Sequence, residues 1–475
     1  MCCNTKCWLI AGAVVGGLLA ILGGVLIPVG DLIIEAKMKK DIVIENGTIA
    51  FDNWITPGSP VYRQFWLFHV ENPSEIISST KKPLLVQKGP YTYRTRYLPK
   101  KDITQNADHT VSYSLPLEAY FVPELSVGPE DDKVTVLNLA VAGAPSVIPE
   151  IAISLVNGWI KKSNSSLFQT RTVKEILWGY QDPFLEAIPN LFIKDKTTGV
   201  FYPFNGTFEG PYIVYNGKDT IEKTAIIKEY QGSSFLRYWN NTYCNMINGT
   251  DAASFPPFVD KKKALYFFSP DVCRSLYAEY ESTRNLKGIP TYHFTLPSSA
   301  FASPLVNPDN ECYCTEKEIS MNCSAEGVLD ISGCQDKKPI YLSLPHFLYV
   351  SDYISQTVDG LQPNKEEHET FIDVEPTTGF TLQYSKRLQI NLMFKPTDKI
   401  DLFSKLKSPL LFPVLWLNET ATIEDEKADF FKSTVTIPMN ALNIIQICLI
   451  CLGSVLFLAC SIALCVRASK SKSIH

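Results

Sequence analysis

Between Gly379 and Phe394 the chain reads GFTLQYSKRLQINLMF, apolar and polar residues alternating along nearly its whole length. A period of two sends successive side chains to opposite faces of a pleated strand, so the stretch predicts a long, half-buried β-strand. The pattern recurs in YTYRTRYL (Tyr91–Leu98) and TYHFTL (Thr291–Leu296), and turn signals punctuate the chain at NGK (Asn216), PTTG (Pro376) and KGP (Lys88). The 31 prolines and 25 glycines are scattered rather than clustered. That distribution predicts a sheet-rich body with many connections, no internal repeat and no flexible interdomain linker.

One region departs from this period. In PEIAISLVNGWIKKSNSSLFQTRTVKEILWGYQDPFLEAIPN (Pro149–Asn190), Ile151, Leu155 and Trp159 fall four apart, as do Ala152, Val156 and Ile160, and Thr172 with Glu175 has capping-box spacing. Two or three short helices inserted into the β body are expected here.

Uncharged runs flank the body. Trp8–Gly30 would span about 34 Å as a helix, enough to cross a bilayer, and Leu442–Val466 is similar, followed by Arg467, Lys470 and Lys472. The first run is longer than the apolar core of a signal peptide and shows no small-x-small cleavage site, so it reads as a retained anchor. Basic residues after the second run put the C-terminal tail in the cytoplasm. Seven N-x-S/T tripeptides, at Asn46, Asn164, Asn205, Asn240, Asn248, Asn322 and Asn418, orient the middle toward the lumen or exterior. The expected layout is a cytoplasmic N-terminus at 1–7, transmembrane helices at 8–30 and 441–466, an extracellular domain at 31–440 and a cytoplasmic tail at 467–475.

Six of the thirteen cysteines lie between the anchors: Cys244, Cys273, Cys312, Cys314, Cys323 and Cys334. In an oxidising compartment an even number reads as three disulfides, although the spacing leaves fifteen pairings open. No histidine lies between Cys312 and Cys334, which argues against zinc, and no metal or other cofactor is expected. All 49 acidic residues and 40 of the 44 Lys and Arg fall in the central domain, an excess of nine negative charges, so nucleic acid is not an expected partner and any anion must meet a local basic patch. The sequence contains no G-x-S-x-G, H-E-x-x-H, phosphate-loop or G-x-G-x-x-G motif, and its histidines are scattered, so binding or transport is expected rather than catalysis.

Several longer blocks carry a family likeness: GPYTYR (Gly89–Arg94), WGYQDPF (Trp178–Phe184), NGTDAASFPPF (Asn248–Phe258), LPSSAFASP (Leu296–Pro304), LSLPHFLY (Leu342–Tyr349) and PVLWLNET (Pro413–Thr420). With both anchors, the chain resembles the class B scavenger receptors over almost its whole length. The resemblance implies an α+β fold, a large antiparallel β-barrel ectodomain crossed by a lipid tunnel, with the Pro149–Asn190 helices as an apical bundle. It implies a plasma-membrane receptor with both termini cytoplasmic, binding long-chain fatty acids, oxidised lipoproteins and anionic phospholipids, facilitating lipid uptake and acting in adhesion and signalling. It implies the pairs Cys244–Cys312, Cys273–Cys334 and Cys314–Cys323, and palmitoylation of Cys3, Cys7 and Cys465. The family's ligand-facing lysine falls on Lys162, with Lys161 beside it, while Asn164 stands where a second family lysine would be. KKDITQNADHT (Lys100–Thr110) resembles the thrombospondin-contacting region but is less acidic than that region in the family. Gly12, Gly16, Ala20 and Gly24, four apart in the first anchor, offer a close-packing face for a homodimer. Two competing functions share the fold: a lysosomal sorting receptor, for which the tail VRASKSKSIH lacks an acidic dileucine signal, and an adhesion receptor with a vestigial tunnel.

Overall fold

The computed structural model describes residues 5–472 except 57, 80, 316, 318–320, 405 and 407. Cys3 lies outside the described residues. The chain divides into two compact units, a helical one (residues up to 41, 287–289 and from 424) and a sheet-rich one (42–286 and 290–423).

In the helical unit, Thr5–Asp41 forms one helix and Asp425–Ser469 another, the latter continuous through a π-helical turn at Lys432–Thr436. Both are long and apolar enough to cross a membrane. They pack closely because small residues face each other. A Cβ on Gly16 would lie 2.5 Å from the Phe457 nitrogen and 2.8 Å from the Gly453 carbonyl oxygen. Gly12 faces Cys460, and Ala20 abuts Gly453. The close approach that this stripe permits is thus taken by the chain's own second helix, while among the described residues nothing lies within 4 Å of where a Cβ on Gly24 would stand. Gln446 adds a polar tie, its side-chain nitrogen donating to the Leu26 carbonyl at 2.8 Å, a bond favoured where water is absent.

In the sheet unit, the main sheet has eleven strands among the described residues. Its central strands are Thr381–Phe394, Leu410–Thr422, Val61–Val70 and Leu85–Thr95, each antiparallel to the next. The opening stretch is therefore a strand, at the middle of the sheet. Val61, Phe65 and Leu67 alternate inward because the strand is pleated, and Phe65 and Leu67 join a core with Tyr93, Leu415 and Leu417. Two expectations need correction. Tyr91–Leu98 stops being a strand at Thr95, because Arg96 takes a left-handed φ of 50°. Lys88–Gly89–Pro90 is no turn: it lies inside the strand Leu85–Thr95, where the pairing register shifts between Phe65 and Leu67, a bulge that bends the strand.

Pro149–Asn190 is helical in pieces, a 3₁₀ segment at Glu150–Leu155 and helices at Val156–Ser163, Val173–Trp178 and Pro183–Ala187. A strand, Phe168–Thr172, intervenes and pairs with Lys133–Leu137. The capping box forms, Thr172 and Glu175 satisfying each other's backbone N–H groups. Of the two apolar rows, Ala152, Val156 and Ile160 are buried, whereas Ile151 is 88% and Leu155 51% exposed. Both rows have the same spacing, so which of them is buried is set by the surface against which the segment packs.

Candidate functional site

The buried face of the helical insertion and the inner face of the sheet share one core. Phe65 and Tyr93 from the sheet meet Trp178 edge-on, at ring separations of 5.9 and 5.0 Å, and Phe201 and Phe204 complete an aromatic wall. Trp178, Phe201 and Phe204 are only half-buried, so the wall has accessible surface. It ends on charge: the Arg63 guanidinium stands 5.4 Å from the Phe204 ring centre.

Arg63 belongs to a buried ion cluster that the sequence reading missed. It lies directly opposite Glu419 on the neighbouring strand, and Glu419 lies directly opposite Lys386 on the next. Arg63 pairs with Glu419 and, at 3.4 Å, with Asp271; Lys386 reaches Asp271 at 2.5 Å; Arg96 sits 3.6 Å from both Glu209 and Glu419. Burial would raise the Glu419 pKa, but Arg63, Lys386 and Arg96 hold it well below the usual carboxylate range. Asp271 is held at about 2, where burial is outweighed by Lys386 and Arg63. Three cations and three carboxylates thus balance in a cluster centred on the buried Arg63–Glu419 pair of the sheet. A signal was available: Arg63 falls in phase with Val61, Phe65 and Leu67, and Glu419 with Leu415 and Leu417, so each is a charge on an apolar face.

Lys161 and Lys162 are exposed in the last turn of the helix Val156–Ser163, and no ion pair to either is found among the described residues. Asn164 closes that helix in a left-handed conformation and is exposed. Lysines at a helix C-terminus also suit the helix dipole. On the same insertion Ile151, Leu155 and, just beyond it, the 86%-exposed Leu191 present apolar surface.

The remaining predicted residues fall elsewhere. Three disulfides join Cys244 to Cys312, Cys273 to Cys334 and Cys314 to Cys323. A recess beside them is lined by Arg274, Phe301, Tyr313 and Asp330 among others, none from the helical insertion. Asn46, Asn205, Asn240 and Asn322 are exposed and Asn248 is half-buried. Asn418 is only 9% exposed, its amide donating to Gln64 Oε1 at 3.0 Å across the sheet. Cys7 and Cys465 are exposed on the two long helices. In Lys100–Thr110, Lys100 packs over the Trp54 and Tyr113 rings, and burial lowers its pKa to about 8.

A disulfide-stapled sheet domain between two long apolar helices defines a membrane protein with one large loop. The sequence matches the CD36 family over residues 14–464, and the chain belongs to that family. It is 33% identical over 459 residues to "Scavenger receptor class B member 1" of Cricetulus griseus, covering 95% of this chain and 88% of that one. It is 36% identical over 419 residues to "Lysosome membrane protein 2" of Homo sapiens, covering 86% and 85%, and 35% identical over 416 residues to the same-named protein of Rattus norvegicus, covering 86% and 85%.

Proposed function

We propose that the protein is a plasma-membrane receptor, with both termini cytoplasmic and residues 31–440 outside. It binds long-chain fatty acids, oxidised lipoproteins and anionic phospholipids, and passes lipid through the interior of its ectodomain. The observation that carries this reading is the helical insertion, which bears Lys161, Lys162, Ile151 and Leu155 outside and packs inside on the aromatic wall of the sheet. Exposed cations beside exposed aliphatic side chains match an amphiphile, with a charged head and an apolar body. Burying an acyl chain contributes about 0.8 kcal/mol per methylene, hence roughly 12 kcal/mol for a sixteen-carbon tail before costs. An exposed ion pair contributes about 0 to 1 kcal/mol. The apolar interior therefore sets affinity, while Lys162 orients the head and speeds capture. Mass spectrometry of small molecules co-purifying with the detergent-solubilised chain tests this: long-chain lipid at near-stoichiometric amounts is expected, and a lipid-free protein that takes up none on incubation would sink the proposal.

The similarity to proteins named lysosome membrane protein 2 favours a second reading, a lysosomal receptor of the same fold. Surface biotinylation separates the two. A mostly surface-labelled pool supports the first, and a pool confined to lysosomes supports the second.

A further inference from the structure

The loop Ser254–Lys263 contains an aromatic side chain that the fold displays instead of burying. In SFPPFVDKKK, Phe255 is 2% exposed, whereas Phe258, three residues later, is 47% exposed at a left-handed φ of 59°. Bulky side chains rarely adopt that conformation, so the surroundings must hold it. They do so through the hairpin tip between the strands Phe371–Val374 and Thr381–Phe394. The Phe255, Phe258 and Val259 N–H groups donate to the carbonyls of Gly379 (2.7 Å), Thr377 (3.1 Å) and Pro376 (2.7 Å). Gly379 permits this approach, since a Cβ there would lie 2.8 Å from the Pro256 carbonyl oxygen. The tip is itself braced, the Glu375 carboxylate accepting from the Thr377 and Thr378 N–H groups and the Thr378 hydroxyl. Phe258 is therefore an exposed ring on a rigid mount.

Next to it, Lys261, Lys262 and Lys263 are all exposed, on a domain whose overall charge is negative. Lys261 lies 5.6 Å from the Tyr280 ring centre, and Asp260 is the one carboxylate within the loop, its Oδ1 accepting from the Lys262 N–H. The position of this loop in the chain's course is informative. The hairpin tip is followed at once by the strand Thr381–Phe394, where the Leu382 carbonyl accepts from the Ile423 N–H at 2.8 Å. Ile423 is the last residue of the sheet unit, and Glu424 begins the segment that becomes the second membrane-crossing helix. Phe258 and the three lysines thus stand at the end of the sheet from which the chain departs for the bilayer.

We infer that this loop is a membrane-contact patch, with Phe258 entering the headgroup layer of the bilayer that the chain itself spans and Lys261–Lys263 meeting anionic phospholipid headgroups. An exposed apolar ring such as Phe gains by burying its surface at the boundary between headgroups and acyl chains, and each lysine near an anionic surface adds attraction that salt screens. A rigid mount removes the ordering cost that a flexible loop would incur. The role is distinct from lipid capture by the helical insertion, since it ties the ectodomain to the membrane surface.

The test uses the full chain in nanodiscs containing phospholipids brominated near the glycerol end of the acyl chain. A Phe258→Trp variant should show added fluorescence that these lipids quench about twofold or more, because the patch sits at the interface. A Leu305→Trp variant should show none, since Leu305, 82% exposed, follows the far end of the strand Ile289–Thr295. Replacing Lys261, Lys262 and Lys263 by Gln in the Phe258→Trp chain should weaken quenching in discs of anionic lipid and leave it unchanged in zwitterionic discs. Hydrogen exchange of the unsubstituted chain gives an independent readout, with amides 258–263 expected to slow in anionic relative to zwitterionic discs. Quenching equal at positions 258 and 305, or exchange at 258–263 that ignores lipid charge, would overturn the inference.

Discussion

The sheet interior and the helical insertion both carry cations, under opposite conditions. Arg63 is buried and Arg96 and Lys386 are half-buried; each faces carboxylates, and for Arg63 and Lys386 the strand register sets the pairing with Glu419. Lys161 and Lys162 are exposed at a helix end. A buried charge must be compensated by the fold itself, because water cannot do so, and once compensated it has little left to offer a ligand. An exposed charge costs the fold almost nothing and stays available. The cluster inside the sheet is therefore read as structural, and the lysines outside as ligand-facing.

Breaking the buried side of this contrast should have the largest effect. Glu419→Gln keeps the shape but leaves Arg63, Arg96 and Lys386 short of a carboxylate, and should lower stability by about 3 to 5 kcal/mol, read as a shifted denaturation midpoint of the solubilised chain. An unchanged midpoint would mean that the cluster is solvated. Replacing Cys273 and Cys334 together by Ala removes a bridge that closes a 61-residue separation. The expected loss is about 2 to 5 kcal/mol, mainly through a less constrained unfolded chain, with acyl binding retained in the molecules that fold.

Two histidines provide an intermediate case, buried and titratable, with no ion pair to a carboxylate found among the described residues. His346 and His368 stack at 4.6 Å, and each Nδ1 accepts a backbone N–H, from Gln362 and Asn364 respectively. Burial, with the neighbouring His368 for the first and Arg387 for the second, lowers both pKa values to about 4. The folded state thus binds protons less readily than the unfolded chain, whose histidines titrate near 6.5. Stability is full above pH 6.5 and falls as pH drops toward 4, at up to about 1.4 kcal/mol per pH unit for each histidine. Denaturation midpoints between pH 7 and 4.5 should show this slope. His346→Asn, which suits the left-handed φ of 54° at that position, should flatten it. An equally steep slope in the variant would place the proton uptake elsewhere.

The exposed side should respond least in stability and most in kinetics. Lys162→Ala is expected to shift stability by less than about 0.5 kcal/mol. It should slow fatty-acid association a few-fold, more at low salt, with dissociation little changed, because steering acts on the encounter. Unchanged association would make Lys162 ordinary surface charge.

Local patterns carried much of this into the sequence. Alternation marks Thr381–Phe394, an uncharged run marks each long helix, and the Thr172–Glu175 spacing marks a helix start, because each depends on residues a few positions apart. KGP could not be read as a bulge, since what makes it one is the register against Phe65 and Leu67 on another strand. Ile151 and Leu155 could not be told from Ala152 and Val156, because a 3₁₀ segment and the surface it faces are decided by packing. The cysteines were countable, but their pairing joins positions up to 68 residues apart. The ion cluster joins residues 63, 96, 209, 271, 386 and 419, which strand pairing in the main sheet and the packing of a second sheet and a 3₁₀ turn bring within reach. Composition and short-range periodicity determined which segments are strands, helices and spans, because local sterics and solvent preference act along the chain. Tertiary structure alone decided which charges are spent on each other and which face outward, because compensation in a low-dielectric interior depends on distances that only the fold sets.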